Sequence, residues 1–441
     1  MHRIPALIPA RSFALISWAL IMGACASVPP EVKNARTLLA RGDYQDAERA
    51  AMEAQRKYPD HPELWRVRIE SAHRQGQARR ATELYRTWHS KRGAHDSKLL
   101  ARLALTTLWQ GLRVPSTQIR VDTILAIERL EVEKLANDVD ALMTSDSDIV
   151  AAAAATALLR GRPGAPRIAT QILVSEDPQA RAIAVAGIGR KIGERARVDL
   201  RFSLRDGDPR VRIAGIEAIA PMGHPDDTDR LIALAASDPD TDVRARALAS
   251  LTSARTGARA VGVRALQDPA LSVRVAAVGL LKRLDDRESL ERIARTSADA
   301  TAVHALAALG DPTRPAAAQV VSRAFAQPDL ADDWAQRAAL AEAVGRVLPR
   351  ADAIARLRVL CGDPDGRVRV AAALALTELD ASQGVDVLSA ACTDQAAETR
   401  SAAIAAHKRL RVYSAGLISA LADDSALIRV QAAEAVMWAA R

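Results

Sequence analysis

Asp206-Gly-Asp-Pro-Arg-Val-Arg212 is the stretch that decides the fold, because the chain keeps returning to it. An arginine in the same register recurs at Arg120, Arg181, Arg212, Arg244, Arg274, Arg337, Arg369, Arg400 and Arg429, with Ala151 and Ala302 filling two further slots. Successive gaps are 31, 30, 31, 32, 30, 28, 35, 32, 31 and 29 residues. Six residues before the arginine stands an aspartate in six units: Asp206, Asp238, Asp268, Asp363, Asp394 and Asp423. A period near thirty held this long means a repeat array, in which each unit packs only on its neighbours.

The residues around the arginine say what each unit is. Asp-Pro pairs (Asp177-Pro178, Asp208-Pro209, Asp238-Pro239, Asp268-Pro269, Asp363-Pro364) suit a break between helices, since aspartate caps a following helix and proline cannot continue a preceding one. Positions three, four and seven after the arginine are apolar or small, as in Gly215, Ile216 and Ile219 or Ala247, Leu248 and Leu251, which is one face of a helix. Eight before it runs a second apolar column through Leu112, Met143, Leu173, Leu204, Ala236, Leu266, Cys361, Cys392 and Leu421, the inner face of a second helix. The expected fold is therefore all-α, a right-handed α-solenoid of about eleven stacked helical hairpins. With helices 8–10 Å apart, such a stack spans on the order of 100 Å. The second helices are expected to line its concave side.

This spacing resembles HEAT repeats, in the short form also found in phycobiliprotein lyase relatives, over residues 96–441. The resemblance implies a protein-binding surface. It leaves open an enzyme or chromophore-attachment factor on the same fold. Deoxyhypusine hydroxylases are similar arrays that hold iron through His-Glu pairs, and no His-Glu pair occurs here.

Upstream, residues 31–95 follow a different period. Gly76 follows Gly42 by 34 residues and Ala81 follows Ala47 by 34. Glycine at the turn and alanine at the close contact resemble tetratricopeptide repeats. The stretch Leu99–Leu112 reads as a further first helix, the junction to the longer array.

The amino terminus is an address. His2, Arg3 and Arg11 precede an apolar core, Phe13 to Met22, too short to span a bilayer. Ile21-Met22-Gly23-Ala24-Cys25-Ala26-Ser27 resembles the lipobox of bacterial lipoproteins. That resemblance implies a signal peptide over residues 1–24, lipid on Cys25, a short linker over residues 25–30, and a periplasm-facing lipid anchor in the outer membrane.

Charge separates along the chain. Residues 25–113 carry 17 Lys and Arg against 10 Asp and Glu, while the net charge of the whole is +8. With Arg3 and Arg11 in the signal, the long array is almost neutral. A nucleic-acid-binding solenoid needs a continuous basic stripe, so nucleic acid is not an expected partner. The basic residues Arg74, Arg79, Arg80, Arg86, Lys91 and Arg92 form a candidate patch for anionic lipid or an acidic partner.

No chemistry announces itself. The eight histidines show no metal-ligand spacing with Cys, Asp or Glu, and neither a phosphate loop nor a nucleophile elbow is present. No catalytic residue, metal or cofactor is expected. The recurrent Asp and Arg are expected to bond between neighbouring turns. Cys361 and Cys392, 31 residues apart in equivalent slots, are expected to stay buried free thiols. Candidate partner contacts are Arg197, Arg201, Arg230 and Arg259, which fall on second helices outside the core columns, and Trp334 in the irregular segment 310–334. The last unit ends after its first helix at Arg441, which leaves an apolar end expected to be uncapped. The expected function is a membrane-anchored, non-catalytic protein-binding scaffold of the bacterial cell envelope, with lipid or glycan binding by the basic region as an alternative.

Overall fold

A computed structural model describes residues 28–90, 95–252, 256–309, 317–326, 333–379 and 383–441. The signal segment with Cys25, and Lys91 and Arg92, lie outside the described residues, as do residues 310–316 and 327–332 of the irregular segment. Every regular element among the described residues is helical, and the chain is an all-α solenoid. It divides into two compact units, residues 1–75 and 76–441. The helix Ala78–His89, which the 34-residue spacing groups with the residues before it, falls in the second unit.

In the first unit three helices, Pro30–Arg41, Tyr44–Lys57 and Pro62–Arg74, pack around Val32, Ala35, Ala47, Ala51, Leu64 and Val67. Gly42 ends the first helix at φ +89°, with its N–H donated to the Leu38 and Leu39 carbonyls, a backbone that a side chain would strain. His61 caps the third helix, its Nδ1 accepting the Glu63 N–H at 3.3 Å.

The second unit is the array. Its first helices are Thr117–Arg129, Asp148–Ala157, Pro178–Ile192, Pro209–Ile219, Thr241–Ser250, Leu271–Arg283, Ala300–Leu309, Trp334–Val347, Gly366–Leu379, Ala397–Leu410 and Ala426–Ala439. Its regular second helices are Ala165–Ile172, Pro225–Ser237, Thr256–Ala265, Arg287–Thr296, Ala317–Phe325, Arg350–Leu360, Gly384–Ala391 and Ala415–Ala420, while residues 133–144 and 193–205 fill that role as broken turns. The three-four-seven column is buried as its spacing requires: Gly215, Ile216, Ile219, Ala247, Leu248 and Leu251 are all in the interior. The second column is mostly interior too, though Ala236 is exposed and Met143, Leu173 and Cys361 are half-buried.

Asp-Pro pairs serve in two ways. Asp177 and Asp208 cap directly, accepting backbone N–H bonds from Gln179 and Arg210. Asp238, Asp268 and Asp363 lie one step further out, and each accepts an N–H from the residue two on, which orders the turn before the helix.

The first helices form the closely spaced set. Each packs directly on the next, because small side chains let the backbones approach. At Asp148–Ala157, where Ala151 to Ala155 are all buried, side chains two units apart meet across the alanines. Gln179 donates to Gln118 at 3.0 Å, and Arg190 reaches Glu128 at 3.1 Å. The concave side therefore belongs to the first helices, contrary to the expectation from sequence.

The carboxy-terminal end is not uncapped. Ala426–Ala439 packs along Ser97–Gly111 as other first helices pack on their second helices, and it also packs on Thr117–Arg129. Ala415–Ala420 packs on Ala78–His89. Against the last first helix, Ser97–Gly111 from the beginning of the array takes the place of a second helix. The expected junction helix is thus the missing cap, and the second unit closes on itself. Close approach is built in at Gly111, where a Cβ would meet Thr123 and Val430.

Candidate functional site

The recurrent charges form one continuous device. Arg212 donates through Nε and Nη2 to the Asp238 carboxylate of the next unit, at 2.9 and 2.8 Å. Its Nη1 donates to the carbonyls of Asp206 and Gly207 in its own unit, at 2.9 and 3.2 Å. The arginine thus clamps its own turn and pulls in the next one. The same rung repeats as Arg181–Asp206 (2.8 Å), Arg244–Asp268 (2.9 Å), Arg337–Asp363 (3.0 Å), Arg369–Asp394 (2.7 Å) and Arg400–Asp423 (2.9 Å). Arg274 uses Asp299 at 2.7 Å and the Thr301 hydroxyl at 3.0 Å. Burial raises the Asp206 and Asp268 carboxyls, but bonds from Arg181 and Arg244 and from the turn N–H groups outweigh it and hold both below the ordinary carboxylate value. The expectation of inter-turn bonding is met.

Where alanine takes the arginine's place, the carboxylate is missing as well. Six residues before Arg181 is Ser175, and six before Arg337 is Ala331. At these two breaks both ends of the rung are missing, so neither leaves a buried charge without its partner. At the first of these breaks the Ser175 hydroxyl instead donates to Asp148 at 2.5 Å.

The sequence-selected contacts have defined places. Arg197 and Arg201 both lie on Asp227, at 2.6 Å each, and that carboxylate is buried. Arg259 pairs with the buried Asp286 at 2.8 Å while its own side chain stays largely in solvent. Arg230 is half-buried. Trp334 is exposed on one face and stacked under the Arg367 guanidinium, 3.5 Å from the ring centroid. Of the basic patch, Arg74 pairs with Glu70 at 3.1 Å in the first unit. In the second unit Arg79 pairs with Asp424 at 2.6 Å, and Arg80 and Arg86 are exposed.

A groove of about 690 Å³ lies between Ala78–His89 and Ala415–Ala420, lined by Glu83, Arg86, Thr87, His89, Ala415 and Ile418. Beside it the Nε2 atoms of His89 and His95 are 3.3 Å apart, but the ring centroids are only 4.0 Å apart at 89°. Rings that close do not aim two lone pairs at one ion. Burial lowers the pKa of both, and each charge disfavours a second. Among the described residues no three His, Cys, Asp or Glu side chains gather as a metal site. No described helix is long and apolar enough to cross a membrane.

The two cysteines are free; Cys392 is buried and Cys361 half-buried. Burial pushes the Cys392 thiol up to about 12. His407 lies against it, Sγ to Nδ1 3.7 Å, with Nδ1 also bonded to the Ala403 carbonyl.

Sequence reasoning missed the exposed apolar side chains on the second-helix side. Val198 and Phe202, one turn apart, are 65% and 74% exposed, and Val359 is 74% exposed. A signal was available, since all three stand outside the apolar columns.

The description of HEAT repeats matches this chain at residues 165–252 and 329–408, so both stretches carry HEAT repeats. The unmatched part between them holds the Ala302 break and residues 310–328 of the irregular segment. No curated protein matches the chain.

Proposed function

We propose that the chain is a non-catalytic scaffold that binds protein partners, held at the outer membrane of a bacterial cell by lipid on Cys25 and facing the periplasm. The observation that carries the scaffold reading is the ladder. The charged residues that recur along the array are for the most part committed to one another, and they build a surface rather than a reaction centre. HEAT repeats generally serve protein interaction, and large apolar side chains left in water on the outer helices fit a contact surface. Arg230 and Trp334 are the contact candidates among the residues selected from sequence. Arg86, on the groove, is the described member of the basic patch best placed for an acidic partner. The membrane reading rests on the lipobox-like Ile21–Ser27 segment.

Crosslinking in intact cells followed by partner identification tests the scaffold reading. Recovery of a specific protein, reduced by Phe202→Asp, is the expected result; recovery of none contradicts it. For the anchor, Cys25→Ala is expected to move the protein from the membrane fraction to the soluble fraction, and unchanged membrane association contradicts it.

A further inference from the structure

Two rung arginines meet no aspartate of the next unit: Arg120, where the register position is Ser145 and the Nε is buried, and Arg429. Arg429 is set like the other rung arginines: its Nη1 donates to the carbonyls of Asp423 and Asp424, at 2.6 and 2.9 Å. In Arg181, Arg212, Arg244 and Arg337 the remaining edge, Nε with Nη2, grips a carboxylate of the following unit. The unit that follows Arg429 is the first one, because the array closes. Its register position, six before Arg120, is Val114. No described carboxylate takes the Nε–Nη2 edge of Arg429. Neither atom is among the sealed polar atoms of the structure, whereas the Arg120 Nε is sealed and without a partner.

The surroundings favour an anion. Asp423 is engaged by Arg400 at 2.9 Å, and Asp424 by Arg79 at 2.6 Å. Both nearby carboxylates are thus taken by other guanidinium groups, and Arg429 is a third cation beside them. Burial first, and then the cation of Arg79, push the Arg429 pKa below its ordinary value, while Asp423 and Asp424 push the other way. The seam is otherwise in register. Glu434 takes Lys408 of the preceding unit at 2.6 Å and Arg129 of the first unit at 2.7 Å, so the vacancy reflects the missing side chain and not a slipped helix.

We propose that the Nε–Nη2 edge of Arg429, with Arg79 beside it, is a binding site for a carboxylate side chain from an acidic segment of a partner protein, which completes the rung that Val114 leaves open. This deepens the scaffold reading and rests on it. The guanidinium is already oriented by two backbone carbonyls, so the fork that recognises a planar carboxylate is preorganised. Specificity follows, since a carboxylate fits the fork in two parallel bonds where a neutral amide offers one acceptor.

Titration of the full chain with a penta-aspartate peptide at low salt tests this. Saturable binding is expected, with none for penta-asparagine. Arg429→Gln and Arg429→Lys should each weaken it at least tenfold, the lysine because it keeps charge and loses the fork. Val114→Asp should fill the rung from within, weaken the peptide at least tenfold and leave the thermal midpoint equal or higher. Arg210→Gln, at an exposed arginine pinned to its own Asp208, should change nothing. Absence of binding, or binding indifferent to the Arg429 substitutions, overturns the site. If crosslinking recovers a partner that Arg429→Gln and Val114→Asp retain at full strength, the scaffold reading stands and the site falls.

Discussion

Arg129 and Glu434 stand 305 residues apart in sequence and join through two bonds, Nε–Oε1 at 2.7 Å and Nη2–Oε2 at 2.8 Å. Lys408 donates to the same buried carboxylate at 2.6 Å. Glu434 therefore ties the penultimate, last and first units together. Arg441 adds a bond to the Leu130 carbonyl, and Arg79 reaches Asp424. A solenoid usually ends in polar capping units, because each unit covers its neighbour's apolar flank. Here the two flanks cover each other, and Ser97–Gly111 takes the place of a second helix against Ala426–Ala439.

Glu434→Gln should loosen this seam. Arg129 is half exposed, so the loss is set below that of a fully buried pair, at about 1–3 kcal/mol. Chemical denaturation of the variant beside Arg129→Gln and the double variant checks it. Strong non-additivity is expected, and simple additivity would mean that the two residues do not act as a pair.

Acid should act on the same carboxylate. Burial raises the Glu434 pKa, but bonds from Arg129 and Lys408 outweigh that and hold it below the ordinary 4.5. A depressed carboxyl contributes stability above its unfolded pKa and loses it as pH falls through the folded value. Stability should thus decline below about pH 4.5, and less so in Glu434→Gln. Asp208 and Asp365, held near 2 by Arg210 and Arg367, keep their charge through that window.

Within the ladder, Asp238→Asn is expected to cost about 3–5 kcal/mol, because Arg212 is left as a nearly buried cation without its carboxylate. Replacing both, as Arg212→Met with Asp238→Leu, should recover much of that loss. Thermal melts of the three variants decide it; a double variant no better than Asp238→Asn would show that the rung is more than a charge pair.

Backbone contact between neighbouring second helices makes Gly416 irreplaceable. A Cβ there would overlap the Ser389 carbonyl, whereas at Gly207 it would meet nothing within 4 Å. Gly416→Ala should cost about 1–3 kcal/mol, and Gly207→Ala should be near neutral. Equal melting curves for the two would refute the close approach.

Thiol accessibility should differ between the two cysteines. Cys392, with its thiol near 12, should resist alkylation in the native protein, and Cys361 should react slowly. Both should react fully in denaturant without reductant. Loss of that denatured reactivity would reveal a disulfide.

Much of this was legible in the sequence, and for a physical reason. Register positions such as Arg212 and Asp238 repeat because every unit faces the same stacking problem. The closure was not legible that way, since Arg129 and Glu434 meet once and no period marks them. A weaker sign existed: the array has one helix too many before Thr117. Reading Leu99–Leu112 as a junction hid the connection. The concave side was misjudged because the columns record which residues are buried and not how closely the helices carrying them are spaced. Arg197 and Arg201 looked free since Asp227, their partner, belongs to no column.

The closure itself is tested most directly by a distance. Spin labels at Glu131→Cys and Ala440→Cys, in a background without the other cysteines, flank the bond from Arg441 to Leu130. Closure predicts a single narrow distance within about 25 Å, two helix diameters. An open stack of eleven units would place the labels on the order of 100 Å apart, and a separation beyond about 60 Å, more than half that span, would contradict the closed array.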